Sequence, residues 1–578
     1  MLLPLGLLLA LAGCRPEAPA PEVVDTTVPA AWHLPLDAPA ASGANGAVAS
    51  DDSIATAVGL RILREGGNAV DAAVATAFAL AVTYPEAGNL GGGGFIVLRM
   101  ADGTTASLDF REKAPLAATR DMFLDESGDV DEDQSLWSHR SSGVPGSVMG
   151  LFTAHERFGR LAWRDVVAPA IALARDGFVV NERFEEVNEG RAERLARHPG
   201  AAAILLPGGA AARAGTVWRN PDLAATLTRI AEQGPAGFYA GRTADLIVEE
   251  MRRGGGLITR EDLAAYAAAW REPVVFDYRG HTVVSMPPAS SGGITLGIAA
   301  NILEGYDVAA LGWRSPEVIH LTAEALRRAF ADRNHYLGDP DFVGIPRAWL
   351  LSEEHAAAHR ASIRMDRATP SMEVTPAREG GPSNEGRETT HLSVADDEGN
   401  AVALTTTVNF LFGSGIAVTG AGFFLNNEMD DFASKPGSPN AFGLVQGEAN
   451  AIEPGKRMLS AMTPTIVLDA SGAPMMVVGG RGGPYIISET LQVISNVIDF
   501  GLDLATAVNA PRIHHQHLPD ELVLEEDGYS ESLIAALRSR GHEIEFGGSG
   551  KAESLLKRGD VWSALADGRV SGGWGGAF

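Results

Sequence analysis

The stretch Glu388-Thr389-Thr390-His391-Leu392-Ser393-Val394 marks the point at which the character of the chain changes. Residues 368–387, which precede it, are rich in Pro, Gly, Ser, Asn and charged residues, as is typical of an exposed loop. Residues 392–395 and 401–408 are largely apolar or β-branched and flank the turn sequence Asp-Asp-Glu-Gly-Asn, which predicts a β-hairpin. We therefore expect Thr389 at the point where a loop enters a sheet.

A threonine hydroxyl is a poor nucleophile unless a base lies beside it. If the bond between Glu388 and Thr389 were cut, the new α-amino group would have a pKa of about 7.7–8.0 and could accept a proton near neutral pH. Thr389 would then supply both the nucleophile and the base. From the local sequence alone, the simpler interpretation is a threonine that begins a hairpin, since Thr-Thr pairs are common at strand starts.

Composition limits the classes of partner. The chain has 578 residues, of which 45% are hydrophobic, enough for a sizeable core. Its formal net charge of −27 argues against a nucleic-acid partner, because phosphate backbones are bound by basic surfaces. Cys14 is the only cysteine, so no disulfide can form within the chain.

The N-terminal sequence predicts export. Met1 to Leu11 is rich in Leu but too short to span a bilayer. Leu11-Ala12-Gly13-Cys14 resembles the lipobox of bacterial lipoproteins, which implies a signal peptide over residues 1–14 and lipidation of Cys14. The positive n-region is missing, and an ordinary cleaved signal with a chance cysteine is the alternative.

Residues 15–46, rich in Pro and Ala, are predicted to be a tether. The expected location is the periplasm or another extracytoplasmic compartment, with a lipid anchor as the only membrane contact.

Several motifs, taken in order, resemble the γ-glutamyltransferases (γ-glutamyltranspeptidases), which are N-terminal-nucleophile hydrolases. The resemblance rests first on Thr389-Thr390-His391-x-Ser393-Val394 and Asp397-x-Gly399-Asn400-Ala401-Val402, and it extends from about Ala47 to the C-terminus. It implies an α+β fold, a four-layer αββα sandwich, whereas periodicity alone supports only mixed α and β. It also implies self-cleavage into a large subunit, residues 47–388, and a small catalytic subunit, residues 389–578.

The resemblance assigns roles around the nucleophile. The family residue that matches Thr407 orients the attacking hydroxyl, and the one that matches Asn409 helps to hold the substrate's amino group. These two residues are predicted to end the second strand of the hairpin and to face the same side. The segment 479–483 resembles the oxyanion loop, so the backbone N–H groups of Gly482 and Gly483 are expected to be the donors.

The resemblance also implies a site for an amino-acid head group. Arg111, at the end of a predicted strand, would bind the α-carboxylate, which its planar guanidinium matches. Ser460 would donate to the same carboxylate. Glu428 and Asp431 would bind the α-ammonium. Without the resemblance, Arg111 could be a solvated charge, and the acidic cluster could be solvated or could bind a metal, although it lacks the spacing of a calcium loop.

Three positions depart from the family pattern. Phe442 stands in the lid-like segment 436–444 where a tyrosine is usual, and it lacks the hydroxyl's hydrogen bond. Ala461 replaces the second of two paired serines, which removes a hydrogen bond worth roughly 0.5–1.5 kcal/mol. Arg481 stands where a small residue or proline is usual.

Other motifs are predicted to be structural. The glycine run 88–94 does not match a nucleotide-binding fingerprint, and close backbone packing is the preferred interpretation. Histidines 514, 515 and 517, and His355 with His359, invite a metal interpretation, but neither set matches a known zinc motif. We expect no metal at either place, and no cofactor. Ser50 is predicted to cap a helix over residues 51–63.

The predicted activity is that of a γ-glutamyltransferase and glutathione hydrolase. Its substrates would be glutathione and related γ-glutamyl compounds, and its acyl acceptors would be water, amino acids or peptides. A cephalosporin (glutaryl) acylase of the same fold is the nearest alternative, and Ala461 leaves it open. A non-catalytic periplasmic binding lipoprotein is the alternative from another class, and it would have no need of Thr389.

Overall fold

The computed structural model describes residues 24–374, 389–438 and 445–578. The predictions for Cys14, Glu388 and Phe442 lie outside these residues. The strands, in chain order, are β1 Ala41–Gly43, β2 Gly46–Ser50, β3 Gly93–Arg99, β4 Thr105–Asp109, β5 Phe178–Val179, β6 Val217–Trp218, β7 Ala269–Arg271, β8 Val274–Tyr278, β9 His281–Ser285, β10 Thr389–Asp396, β11 Ala401–Thr407, β12 Thr465–Leu468, β13 Pro474–Val478, β14 Gly480–Arg481, β15 Ile513–His514, β16 Leu522–Glu525, β17 Ile544–Gly547, β18 Lys551–Ala552, β19 Ser554–Arg558, β20 Val561–Leu565 and β21 Trp574–Ala577.

Two seven-stranded antiparallel sheets form the centre of the molecule. The first has the strand order β1-β20-β19-β13-β12-β9-β8, and the second has the order β21-β2-β10-β11-β3-β4-β7. Each sheet combines strands from before and after Thr389. In the second sheet, β2 lies between β21 and β10, so a strand of the first part of the chain is hydrogen-bonded on both sides by strands of the second.

The helices cover the outer faces of both sheets. In chain order they are α1 Ser53–Arg64, α2 Ala69–Thr83, α3 Glu132–Trp137, α4 Ser147–Phe158, α5 Trp163–Asp176, α6 Glu182–Gly190, α7 Ala192–Leu195, α8 Pro199–Leu205, α9 Pro221–Gln233, α10 Ala236–Tyr239, α11 Gly241–Gly254, α12 Arg260–Ala265, α13 Gly292–Glu304, α14 Val308–Leu311, α15 Pro316–Tyr336, α16 Arg347–Leu350, α17 Glu353–Ser362, α18 Tyr485–Ile498, α19 Leu504–Asn509 and α20 Glu531–Ser539. No helix in the described residues is both long enough and apolar enough to cross a membrane.

Three apolar clusters hold the layers together. Side chains such as Val97, Val284 and Ile466 fill the space between the two sheets. A second cluster joins α1, α2, α5 and α9 to the outer face of the β10 sheet, and a third joins α13, α15 and α18 to the outer face of the β12 sheet. All 15 residues of α2 are buried, as expected for a helix that is apolar on every side. The four-layer αββα sandwich is therefore confirmed.

The β10–β11 hairpin forms as predicted and sets the register around Thr389. Thr389 pairs with Thr407, and the pairing continues to Ala395 with Ala401. The glycine run before β3 permits a close approach on the other side of β11. A Cβ atom on Gly92 would lie 2.0 Å from the carbonyl oxygen of Thr407. The prediction of close backbone packing is thus confirmed.

Two boundaries differ from the predictions. The first helix begins at Ser53, and its cap is Asp52, whose carboxylate accepts hydrogen bonds from two backbone N–H groups, so the assignment of Ser50 as the cap was wrong. The predicted tether is too long at its C-terminal end, because residues 24–46 pack on the domain. The Trp32 ring is buried and donates a hydrogen bond to Asn509 O, and β1 pairs with β20. The high content of Pro and Ala in this segment led to the tether prediction, because only a few apolar side chains such as Trp32 pack on the domain.

Candidate active site

The candidate nucleophile lies at the edge of a buried pocket. Thr389 is the first residue of β10, and it is 6% exposed. Its Oγ lies 3.5 Å from Thr407 Oγ, at the outer limit of a hydrogen bond, and Thr407 Oγ also accepts a hydrogen bond of 2.8 Å from Asn409 N–H. Catalytic hydrogen bonds are often long in the absence of substrate. Thr407 thus lies beside the Thr389 hydroxyl, and its role in orienting that hydroxyl stays a prediction.

Asn409 reaches the site in a different way from the one predicted. β11 ends at Thr407, and Asn409 adopts a φ of 78°, so strand alternation does not govern its direction. Its side-chain amide donates a hydrogen bond of 3.1 Å to Asn427 O. The argument from the strand was wrong for Asn409, but the residue lines the same pocket as Thr389.

One pocket brings together most of the residues predicted from the sequence. Its walls are formed by Arg111, Arg333, Thr389, Thr407, Asn409, Glu428, Asp431, Gln446, Leu459, Ser460, Ala461, Met462, Gly483, Pro484 and Ile486. Gly482 lies one residue outside this lining. Arg333 and Gln446 are additional members that the sequence analysis did not assign. Arg333 lies on α15 among several buried charged residues, and its burial is evident only from the tertiary contacts of that helix.

Opposite charges meet in this pocket. The guanidinium of Arg111 is 1% exposed, and its Nη1 lies 2.6 Å from Glu428 Oε2, while its Nη2 contacts the Asp431 carboxylate. Its Nη1 also lies 3.6 Å from Glu112 Oε2. Burial opposes the positive charge, but the carboxylates of Glu428 and Asp431 raise the pKa of Arg111 above its usual value. An arginine held by carboxylates in this way can exchange partners with a zwitterionic ligand.

The buried carboxylates favour an incoming cation. Burial raises the pKa of Glu428 well above its usual value, and it also raises the pKa of Asp431, with Arg111 opposing both shifts. Burial likewise raises the pKa of Glu112 to about 8. These shifts mean that the negative charges lack full compensation, so an ammonium group in the pocket would stabilise them.

Arg333 supports the segment of the pocket wall that carries Ser460. Its Nε donates a hydrogen bond of 2.8 Å to Ser291 Oγ, and Ser291 Oγ donates one of 2.6 Å to the carbonyl oxygen of Ser460. Burial lowers the pKa of Arg333 to about 10, so it remains a cation at neutral pH. The chain from Arg333 through Ser291 fixes the backbone that presents Ser460 and Ala461 to the pocket. The Ser460 hydroxyl accepts a hydrogen bond of 3.1 Å from Met462 N–H.

The predicted oxyanion loop joins β14 to α18. Gly482 and Gly483 adopt φ values of 132° and 58°, and a Cβ atom on Gly482 would lie 2.8 Å from Gly550 Cα. Both glycines are therefore required by backbone conformation. Gly483 and Pro484 line the pocket at the N-terminus of α18, where the helix dipole and exposed N–H groups favour negative charge.

Arg481 points away from the pocket into a buried acidic cluster. Its Nε lies 3.4 Å from Asp51 Oδ1, and Asp51 and Glu553 are fully buried. Burial raises the pKa of Glu553 well above its usual value, and Asp51 adds to the shift while Arg481 opposes it. The departure at this position is thus explained: Arg481 compensates buried carboxylates behind the predicted oxyanion loop and is not part of the pocket lining.

Arg481→Met should destabilise the protein by about 3–5 kcal/mol, because it removes the cation from a buried cluster of carboxylates. Chemical denaturation of the purified protein measures this loss. The matched control is Arg61→Met, since Arg61 forms an exposed i,i+4 pair with Glu65 and should change stability by less than about 1 kcal/mol. Equal stability of the two variants would show that Arg481 has no compensating role.

The histidines fall into two different arrangements. His514 Nδ1 contacts Ser488 Oγ at 2.9 Å, whereas His517 Nε2 lies 2.9 Å from Ser371 O, so these side chains do not converge. His355 and His359, by contrast, lie together with Asp332 in a group that could hold a metal ion. The expectation of no metal at these two histidines stays a prediction. Asp332 was not considered with them, because it lies at least 23 residues away in the sequence.

Comparison with known proteins shows the family of the chain. The family model described as Gamma-glutamyltranspeptidase matches residues 55–577. The chain is 49% identical over 500 residues to the Glutathione hydrolase proenzyme of Escherichia coli (strain K12), covering 86% of each chain. It is 38% identical over 532 residues to the Acylase ACY 1 proenzyme of Pseudomonas sp. (strain SE83), covering 91% of this chain and 90% of the relative.

Among solved structures, the fold is similar to that of cephalosporin acylase from Bacillus halodurans, with a TM-score of 0.83, 28% sequence identity, and coverage of 95% of this chain and 99% of the other. The resemblance noted in the sequence is confirmed, and the chain is an enzyme that belongs to the gamma-glutamyltranspeptidase family.

Proposed function

We propose that this enzyme cleaves itself before Thr389 and then hydrolyses or transfers the γ-glutamyl group of glutathione and related compounds. The observation that carries the proposal is that Thr389, Arg111 and the carboxylates of Glu428 and Asp431 line the same pocket. A nucleophile beside a guanidinium, a buried carboxylate and a partly buried carboxylate matches a substrate with an amide carbonyl at one end and a zwitterionic head at the other.

The reaction follows from these groups. In maturation, Thr389 Oγ attacks the carbonyl carbon of Glu388, and the amide bond breaks to give an ester and a free amino group on Thr389. Water then hydrolyses the ester, which releases the Glu388 carboxylate and restores the Thr389 hydroxyl. In turnover, that amino group takes the hydroxyl proton as Oγ attacks the γ-amide carbonyl. The backbone N–H groups of Gly482 and Gly483 stabilise the oxyanion, and the leaving amine accepts the proton. Water or the amine of an amino acid or peptide then takes the acyl group. No step calls for a cofactor.

Charge favours a γ-glutamyl over a glutaryl substrate. The two acyl groups differ only in the α-ammonium, which the glutaryl group lacks. Arg111 and Arg333 supply two positive charges to the pocket lining, and Glu428 and Asp431 supply two negative charges. A zwitterionic head adds no net charge to the pocket, whereas a glutaryl group adds a negative charge beside carboxylates that already lack full compensation.

The test compares γ-glutamyl-p-nitroanilide with glutaryl-p-nitroanilide, which share a leaving group. We expect the ratio of kcat/KM values to favour the γ-glutamyl compound by about 10-fold or more, since a hydrogen bond to a charged group contributes about 1.5–3 kcal/mol. Glutathione should be cleaved under the same conditions. A preference for the glutaryl compound would overturn the proposal in favour of an acylase.

Two observations keep the acylase as the second candidate. Ala461 lines the pocket at the position of the second of the family's paired serines, and this departure from the pattern leaves the choice of acyl group open. Relatives named as acylases also match over most of the chain. The two buried carboxylates favour the γ-glutamyl substrate, because a glutaryl group offers no cation to them.

Asp431→Asn should raise KM for γ-glutamyl-p-nitroanilide by about 10–100-fold with a smaller effect on kcat, because it removes one charged acceptor for the α-ammonium. Steady-state kinetics provide the measurement. Asp430→Asn is the matched control, since Asp430 is the adjacent acid on the same turn but does not line the pocket. If both variants keep the wild-type KM, Asp431 does not bind the substrate.

We further propose that residues 1–14 are a lipoprotein signal peptide and that the enzyme is held outside the cytoplasm by lipid on Cys14. The support is the sequence Leu11-Ala12-Gly13-Cys14 after a short apolar run. Metabolic labelling with a radioactive fatty acid in a bacterial host should label the unmutated protein but not Cys14→Ser. An unlabelled wild-type protein would contradict lipidation, and its recovery in the cytoplasmic fraction would contradict export.

A further inference from the structure

Asp332, His355 and His359 converge outside the pocket that holds Thr389. Asp332 lies near the C-terminal end of α15, and the two histidines lie one turn apart on α17. Asp332 Oδ2 is 2.6 Å from His355 Nε2 and 2.9 Å from His359 Nε2, and the two Nε2 atoms are 3.0 Å apart. All three residues are less than 10% exposed. Three potential ligand atoms therefore meet at one point.

Hydrogen bonds among these three side chains leave one repulsive contact as long as Asp332 is ionised. If both Nε2 atoms carry protons, each can donate to the Asp332 carboxylate, but the two N–H groups then face each other at 3.0 Å. If one Nε2 is unprotonated, its lone pair accepts from the other histidine but points at the lone pairs of the carboxylate oxygen. Every assignment with an ionised Asp332 leaves one repulsive contact. A cation at the centre would remove the conflict, because all three lone pairs would point at it.

We propose that Asp332, His355 and His359 form a binding site for a divalent first-row transition metal ion, for which Zn²⁺ is the probe. Two imidazole nitrogens and one carboxylate oxygen are a donor set that suits such ions. Ligand atoms about 2.0–2.1 Å from a tetrahedral Zn²⁺ lie roughly 3.3 Å from one another. The observed separations of 2.6, 2.9 and 3.0 Å thus require outward movements of only a few tenths of an ångström.

An adjoining cavity supplies both access and room for a further ligand. It has a volume of about 370 Å³, and the three residues form part of its wall. Trp349 and Glu373, which also line it, are exposed, so water and ions can reach the site. The Trp349 ring lies against the His355 ring with centroids 4.0 Å apart and restricts the orientation of that imidazole. Three protein ligands and an open position are typical of an accessible zinc site rather than a closed structural one.

Metal binding would join two helices at a point next to the active site. The site bridges α15 and α17, and Asp332 is followed directly by Arg333, which lines the pocket of Thr389. A bound ion would therefore fix the end of α15 that presents Arg333. The proposed role is stabilisation of this wall of the pocket, and no catalytic step passes through the ion.

The first test uses the full-length protein after treatment with a chelator and removal of the chelator. Competition with a chromogenic Zn²⁺ indicator should reveal one tight site per chain, and saturation with Zn²⁺ should raise the Tm. Co²⁺ in place of Zn²⁺ should give the visible absorption of a four-coordinate N/O site. If the wild-type protein binds no stoichiometric Zn²⁺, this measurement alone overturns the proposal.

Variants then locate the site. His359→Gln and His355→Gln should each weaken Zn²⁺ binding by roughly ten-fold or more and remove the Co²⁺ absorption, since each deletes one of three ligands. The control His33→Gln alters an exposed histidine far from the cluster in sequence and should bind like wild type. A tight site that survives both α17 substitutions would place the metal elsewhere and refute the assignment.

Discussion

Thr389→Ala should give a single uncut chain that releases no γ-glutamyl product. The substitution removes the hydroxyl of the first residue of β10, so neither the attack on the Glu388 carbonyl nor the attack on the substrate can begin. We expect turnover to fall by at least about 10³-fold, as for other enzymes that lose their nucleophile. Intact mass under denaturing conditions reports cleavage, and γ-glutamyl-p-nitroanilide reports turnover.

The control for this experiment is Thr389→Ser, which keeps both a hydroxyl and the α-amino group that cleavage would expose. It should still divide between residues 388 and 389, more slowly than wild type if the γ-methyl group helps to fix the rotamer. Cleavage of Thr389→Ala at the same bond would refute self-processing. An uncut wild-type chain without activity would instead show that maturation requires conditions that the assay lacks.

Arg111→Lys should reduce kcat/KM for γ-glutamyl substrates by about 30-fold or more, mainly through KM. A lysine keeps the positive charge but loses the planar fork that can engage a carboxylate with two parallel hydrogen bonds. It also leaves Glu428 and Asp431 with a poorer partner than the guanidinium that contacts both of them now. Truncating a buried, hydrogen-bonded charge pair costs about 2–5 kcal/mol, which sets the size of the effect.

Arg120→Lys is the matched control for Arg111→Lys. The Arg120 side chain is 48% exposed, and its ion pairs with Asp121 and Glu448 lie on the surface. Its replacement should leave KM unchanged within about two-fold, since exposed ion pairs contribute little. If Arg111→Lys behaves like this control and is correctly cleaved, another residue must bind the substrate's carboxylate, and Arg333 would be the next candidate.

The local elements of the fold were accessible from sequence because their signals are local. The β10–β11 hairpin follows from β-branched residues around a turn, and the packing of β3 against β11 follows from its glycines. The stacking of two sheets has no such signal, because contacts between layers join residues hundreds of positions apart. The resemblance supplied that level of the prediction. Residues 24–46 were assigned to a tether because a few anchors such as Trp32 carry their packing.

The residues of the candidate active site could be predicted from the sequence only where they lie in motifs that resemble the family. The resemblance assigned Arg111, Glu428 and Asp431 to one site, and the structure places all three in the lining of one pocket. Arg333 was missed because an arginine on a helix is usually a solvated charge, and only tertiary contact shows that it is buried. The cluster of His355 and His359 was judged without Asp332 for the same reason: 23 residues separate its members along the chain.

The interleaved strands of the two sheets have a kinetic consequence. Because β2 lies between β21 and β10, and strands from both sides of Thr389 alternate with one another, cleavage before Thr389 would cut the chain without separating two bodies. Dissociation of the fragments would require unfolding of both sheets. Before cleavage, folding is a unimolecular process; after it, refolding would require two different chains to meet, at a rate that depends on their concentration. The mature enzyme would then persist through a slow unfolding rate, and each unfolding event would be close to irreversible.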